Sequence, residues 1–207
     1  EEVRGYFAII LVAIGIITAN IYSLYNSFGE AVRQAAFQVG SIITTTGFSS
    51  CDFDLWPTLS KEILVVLMFI GACAGSTGGG IKVSRILIML KSTKANFRKM
   101  LHPNAVAAVR LEGKPLSESV VSGAYQYFAV YMMVYLASFL LLALDGFDII
   151  TTVTALTACI NNIGPGLELV GPMGNFSAFS PWAKLLLAFD MLAGRLELYP
   201  MLLLFAP

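Results

Sequence analysis

Charge is scarce in this sequence. Only 13% of its 207 residues are charged, against about 25% in a soluble domain. By contrast 57% are hydrophobic, and the mean hydropathy is +0.77. That balance disfavours a soluble domain and points to a protein integral to a membrane. Cysteine and histidine are scarce too. Cys51, Cys73 and Cys159 are odd in number and widely spaced, and they form neither a metal-ligand spacing nor a disulfide framework. Cys73 and Cys159 sit in apolar runs, as small packing residues do. His102 is the single histidine, beside Pro103 in a polar stretch, and is given no role. Asn175-Phe-Ser matches the glycosylation acceptor pattern, but a three-residue pattern recurs by chance. The chain opens at Glu1, with no initiator Met and no leader pattern, so a piece of a longer protein is expected.

What charge there is segregates. Eight of the thirteen basic residues lie between positions 82 and 114: Lys82, Arg85, Lys91, Lys94, Arg98, Lys99, Arg110 and Lys114. Acidic residues gather elsewhere, Glu30, Asp52, Asp54 and Glu62 near one glycine turn and Asp145, Asp148 and Glu168 near another. The positive-inside rule makes the basic linker, residues 91–119, cytoplasmic. Both glycine turns then open outward, among carboxylates that raise the local cation concentration.

The hydrophobic runs divide the chain into two similar halves. Residues 6–25 are long enough to span, since a bilayer core needs about 20 residues of helix. Residues 31–43 are too short, at most about 20 Å of helix. Residues 60–90 form the next spanning unit, interrupted from Gly71 to Gly80. The linker, broken by Pro103, Gly113 and Pro115, reads as short surface helices. Then the order repeats: a long apolar helix over 120–144, a short one over 148–160 with Asp148 as N-cap, a turn from Asn161 to Gly166, and a spanning helix over 181–205 with Pro181 in its first turn. The expected fold is an all-α polytopic membrane protein of two tandem helix–pore loop–helix repeats with re-entrant half-helices, residues 1–90 and 120–207. Internal repetition is common in membrane transport folds.

Each short helix aims its C-terminal end at the membrane centre, where the helix dipole favours a cation. Thr44-Thr45-Thr46-Gly47-Phe48 follows the first and Asn161-Asn162-Ile163-Gly164-Pro165 the second. Successive carbonyls lining a pore need backbone angles that a Cβ forbids, which gives Gly47 and Gly164 their purpose. The threonine hydroxyls and asparagine amides either add oxygen ligands or brace the turns. Taken singly, either glycine is equally an ordinary loop glycine; matching positions in two copies favour ion permeation.

Two further features lie inside the apolar runs. The stretch GACAGSTGGGIKVSR cannot remain regular helix without cost, about 1 kcal/mol per glycine against alanine. It is not a phosphate-binding loop, because Lys82 follows Ile81, with no Ser or Thr after it and no strand before. It either packs helices closely through small residues or lines water as irregular backbone. Asp190, Arg195 and Glu197 are charges within the last span, and such charges usually face the protein interior or a water-filled cavity. Arg195 acts either as an electrostatic barrier below the turns, able to bond the glycine-rich loop, or as a partner of Asp190 or Glu197 in an ion pair. The basic linker suits an anionic lipid surface or a docking partner. A proton- or Na⁺-coupled symporter would need a titrating carboxylate, for which Asp190 and Glu197 are the candidates, and a membrane scaffold would need neither turn.

TTTGFSSCDFDLWP, GACAGSTGGGIKVSR, HPNAV, NNIGPGL and LAGRLE, in this order over nearly all of the chain, resemble the C-terminal half of the Trk/Ktr superfamily of potassium uptake transporters, of the Trk type. The resemblance implies four helix–pore loop–helix repeats around one pore, with Gly47 marking the third filter segment and Gly164 the fourth, and the first two repeats missing here. It implies gated K⁺ uptake and no enzymatic activity. K⁺ would lose its water at the backbone oxygens of Thr45, Thr46, Gly47, Asn162, Ile163 and Gly164. The filter has one glycine where tetrameric potassium channels have Thr-Val-Gly-Tyr-Gly, so selectivity over Na⁺ is expected to be real but less strict. Gly75, Ser76, Thr77, Gly78, Gly79 and Gly80 would form a mobile loop obstructing the pore, with Arg195 as its partner in the gate. The resemblance further implies a homodimer, a separate cytosolic nucleotide-binding ring as regulator, and a bacterial inner membrane. K⁺ is the only ligand implied; no organic cofactor and no nucleic acid are expected.

Overall fold

A computed structural model describes residues 1–102 and 108–195. Among the described residues the regular structure is helical apart from one small hairpin. Helix α1 (Glu2–Ile21) is followed by α2 (Phe28–Ile43), α3 (Thr58–Phe69) and α4 (Val83–Leu101). After the hairpin β1–β2 (Arg110–Leu111 and Lys114–Pro115) come α5 (Glu118–Leu142), α6 (Ile149–Ile160) and α7 (Pro181–Arg195). Helix α1 with the 3₁₀ turn after it, and α5 with the one after it, are long and apolar enough to cross a membrane, at 23 and 28 residues. Sixteen residues give α2 about 24 Å and twelve give α6 about 18 Å, both short of a bilayer core of about 30 Å.

Side-chain caps set where the short helices start. Ser27 Oγ accepts from Glu30 N–H at 3.2 Å, so α2 begins three residues earlier than its apolar run. Asp148 Oδ2 accepts from Thr151 N–H at 2.9 Å and starts α6 at the expected place. Pro181 stands first in α7, where a missing N–H costs nothing. The expected continuation of α7 to residue 205 lies outside the described residues.

The spanning unit expected over 60–90 is two helices, α3 and α4, separated by the glycine-rich stretch. α4 continues to Leu101, so the first part of the basic linker is the last turns of this helix and not separate surface helices. No glycine or proline interrupts Val83–Leu101, and Leu, Met, Lys, Arg and Ala are good helix formers. His102 leaves helical geometry with φ −135° and ψ 85°, as the residue before a proline does.

Among the described residues two apolar cores form, one per half. Ile17, Val39, Ile43, Leu64 and Met68 pack in the first, and Tyr131, Leu156, Ile160 and Leu187 in the second. The halves are interlocked by exchange. Ile163 and Leu167, beyond the end of α6, lie in the first core, and Ile81, before α4, lies in the second. In α6 every residue from Thr154 to Ile160 is buried, whereas α2 leaves Arg33 and Phe37 exposed on one face. Replacing Asp148 with Ala removes the α6 cap and should lower stability by about 1 kcal/mol. A thermal melt of the purified protein in detergent checks this, with Asp148→Asn recovering most of the loss.

Candidate functional site

Both short helices end in the same hydrogen-bonded turn. In the first, Thr45 N–H donates to Ile42 O at 3.0 Å and Thr46 N–H to Ser41 O at 2.9 Å. In the second, Asn162 N–H donates to Cys159 O at 2.9 Å and Ile163 N–H to Ala158 O at 2.8 Å. This is the paired bonding of a Schellman motif. Its left-handed position falls on Thr45 (φ 57°) and Asn162 (φ 56°), not on a glycine. Asparagine tolerates that conformation, but a β-branched threonine adopts it only under constraint, at roughly 1–3 kcal/mol. Two residues on, Gly47 (φ 77°) and Gly164 (φ 119°) also have positive φ. The unusual backbone expected at the glycines is therefore shared with the residues before them.

The two turns meet. A Cβ built on Gly47 would lie 1.9 Å from Ile163 O, so only glycine fits there. Nothing lies within 4 Å of the corresponding point on Gly164. Thr45 Oγ1 is 3.4 Å from the Cβ position of Gly78 in the glycine-rich loop. The Ile163 side chain points away into the first apolar core.

Most side-chain polar groups of the turns are braces. Asn161, fully buried, donates from Nδ2 to Thr157 O at 2.9 Å and accepts at Oδ1 from the Tyr131 hydroxyl at 3.0 Å. Asn162 Nδ2 donates to Met191 O at 3.0 Å. Thr44 Oγ1 donates to Gly40 O at 2.7 Å and pairs with Thr46 Oγ1 at 2.7 Å. Ser41 Oγ donates to Phe48 O at 2.5 Å and ties the outgoing strand of the turn to α2. Sequence reasoning missed Ser41 and Tyr131. Tyr127, Tyr131 and Tyr135, spaced by four on the apolar α5, were a readable signal, because buried tyrosines seek partners for their hydroxyls.

The glycine-rich stretch is an irregular loop closed at its base. Ile70 and Ile81 pair in parallel, Gly71 N–H donates to Ile81 O at 2.6 Å, and Val83 N–H donates to Ala72 O at 3.3 Å. The Glu2 carboxylate accepts from Ala74 N–H at 2.7 Å and from Ser84 N–H at 3.2 Å, gripping both ends. Gly75 is open to space. Thr77 O accepts a hydrogen bond from the Arg195 guanidinium. Gly79 and Gly80 press on Asn161, with the Cβ position of Gly79 only 2.2 Å from Asn161 O. The loop thus lies directly against the end of α6 and beside Thr45. Among the described residues no ion pair joins Arg195 to Asp190. Asp190 is wholly buried and accepts from Ser138 Oγ at 2.7 Å, and Glu197 lies outside the described residues. Lys82 and Arg85, grouped by sequence with the linker charges, are not solvated linker residues. Lys82 is buried in the loop, and Arg85 sits 3.8 Å over the Tyr127 ring. Several acidic residues also hold structure. Asp54 pairs with Lys61 at 3.5 Å and accepts from Glu168 N–H at 3.0 Å, linking the halves, and Asp145 accepts from Ser180.

Comparison with known proteins points the same way. The TrkH family profile, described as cation transport protein, matches residues 7–207. The chain is 38% identical over 197 residues to the Trk system potassium uptake protein TrkH of Escherichia coli strain K12, covering 95% of this chain and 40% of that protein. It is 37% identical over 208 residues to the Salmonella typhimurium protein of the same name, covering 100% and 43%. The crystal structure of the potassium transporter TrkH from Vibrio parahaemolyticus superposes with a TM-score of 0.91 at 35% identity, covering 100% of this chain and 44% of that one. The chain spans about two-fifths of the length of the curated relatives it matches.

Tyr131→Phe would leave Asn161 Oδ1 without its buried donor, a loss of about 1–3 kcal/mol. The expected outcome is a lower melting temperature, and Asn161→Ala in the same background should lower it by less than Asn161→Ala does alone, since the two residues share one bond while the Thr157 bond is lost in both cases.

Proposed function

The chain belongs to the TrkH family of cation transport proteins, helical membrane proteins and not enzymes, and we propose that it forms two adjacent quadrants of a gated K⁺ uptake pore. The observation that carries this is the junction of the two turns. Identical hydrogen-bonded turns end α2 and α6, and the Gly47 backbone of one lies against the Ile163 carbonyl of the other. Carbonyls collected in this way replace the hydration shell of a monovalent cation. K⁺ loses its water at the backbone oxygens of Thr45, Thr46 and Gly47 and of Asn162, Ile163 and Gly164. The open space at Gly164 is where the next quadrant of a four-part filter continues.

Below the filter, Gly75–Gly80 is the gate. It is irregular backbone tethered across the halves by Arg195, whose positive charge also repels a cation that has passed the filter. The first two repeats complete the ring, residues 1–90 and 120–207 supply the third and fourth, and the polar residues of 91–119 face the cytoplasm with the filter mouth outward. The assembly is a homodimer in a bacterial inner membrane, with a nucleotide-binding ring docked on the basic surface. K⁺ is the transported ion and no organic cofactor takes part.

In the full-length protein reconstituted in proteoliposomes, Gly47→Ala should collapse K⁺/Na⁺ discrimination, because its Cβ displaces Ile163 O. Unaltered selectivity at normal uptake would sink the filter reading. Deleting residues 75–80 should raise Rb⁺ flux severalfold, by removing a closed state that dominates the resting ensemble. Equal or lower flux would count against the gate.

A further inference from the structure

The loop carries a cation of its own. Lys82 is the residue immediately before α4, is 7% exposed, and turns its ammonium back into the loop it terminates. Nζ donates to Ser76 O at 2.8 Å, to Ser76 Oγ at 3.2 Å and to Gly78 O at 2.8 Å. Two main-chain carbonyls and a hydroxyl converging on a monovalent positive charge form a dehydrating cradle of the kind that holds an alkali cation. Each side needs the other. A buried ammonium without oxygen partners is costly, and loop carbonyls at membrane depth have no water to bond.

The contact differs in kind from the Arg195 tether. Lys82 is four to six residues from its acceptors, so its bonds close the loop on itself, whereas Arg195 reaches Thr77 from α7. A cavity of about 170 Å³, lined by Ser76, Gly80, Lys82, Arg85, Tyr127 and Arg195, adjoins the cradle. We propose that Lys82 is a tethered cation. Its ammonium occupies a carbonyl cradle inside the loop, keeps the loop folded in its obstructing shape, and can be replaced there by a free alkylammonium ion when the side chain is removed. This rests on the reading of Gly75–Gly80 as the gate.

The test is Rb⁺ uptake by the full-length protein in proteoliposomes. Lys82→Ala should raise flux about tenfold, the factor expected when a set of charge-assisted hydrogen bonds is lost from the closed state. Millimolar n-butylammonium should return that variant toward wild-type flux while leaving the wild type and the 75–80 deletion unaffected. Wild-type flux in Lys82→Ala, or a raised flux that the amine does not lower, overturns the proposal. Should Lys82→Ala fail to reach the membrane, Lys82→Arg replaces it. A planar guanidinium does not fit the cradle of a compact ammonium, so raised flux supports the proposal and unchanged flux overturns it. The deletion separates this inference from its premise. If deleting 75–80 leaves flux unchanged, the gate reading fails and the tethered cation with it. If the deletion raises flux and Lys82→Ala does not, the tethered cation alone falls.

Discussion

A peptide group carried into hydrocarbon has no water to bond, and an unmet N–H or C=O there costs several kcal/mol. Two helices of this chain end inside the fold, and a loop of about ten residues is irregular between two others, so the structure is organised around where those groups go. The Schellman bonds return two amides of each turn to the helix that has just ended. Side chains brace the second turn, with the Tyr131 hydroxyl of α5 on the Asn161 side-chain amide and the Asn162 side chain on the α7 carbonyl of Met191. Gly79 and Gly194 bring neighbouring backbone against Asn161 O and Ile160 O, at positions where a Cβ would sit 2.2 and 1.7 Å from those oxygens. The exchange of Ile163, Leu167 and Ile81 between the two cores follows from the same need, because a turn enclosed on all sides must lie where the two halves meet.

This explains which parts of the fold the sequence announces. The Asp148 cap and the paired glycine turns are local properties, set by capping chemistry and glycine itself, and they stand where the sequence puts them. The left-handed Thr45 was not legible. Its conformation is dictated by the bonds of Thr45 and Thr46 to α2, and threonine's own preference argues against it. Lys82 and Arg85 were illegible for another reason. A basic residue at a membrane edge is ordinarily solvated, whereas the fold-back of the loop buries Lys82 and Tyr127 lies against the half-buried Arg85. The reach of α4 into the linker was legible in retrospect, since no breaker stands between Val83 and Leu101.

The loop shows how cationic side chains can replace secondary structure. A helix satisfies its carbonyls through its own amides, but a glycine-rich loop with reversed backbone at Gly75 and Gly80 cannot. Here Ser76 O and Gly78 O are met by an ammonium and Thr77 O by a guanidinium. Cations suit the task because each bond is charge-assisted and stronger than a neutral one, and because a long side chain can release it without unfolding anything else. Regular helix at the same place would be more stable and would offer no second state. A gate of the kind proposed is therefore better built from irregular backbone held by side chains than from a ladder of main-chain bonds.

The difference between the two halves carries the last step. Gly47 and Gly164 end matching turns with matching bonds, yet one is packed against a carbonyl and the other faces open space. Likewise α6 is buried on every side over Thr154–Ile160 while α2 exposes Arg33 and Phe37. The two turns share their Schellman bonds but part at the glycines, with φ 77° at Gly47 and 119° at Gly164. What packs beside each turn differs as well. α6 has the first half beside it, and α2 has no counterpart among the described residues. If the proposed pore has rotational pseudosymmetry, the relation that brings Ile163 O to Gly47 must recur at each junction. The exposed edge of α2 and the open side of Gly164 are then the two ends of an interrupted arc, and the same packing that joins these two repeats defines how the other two attach.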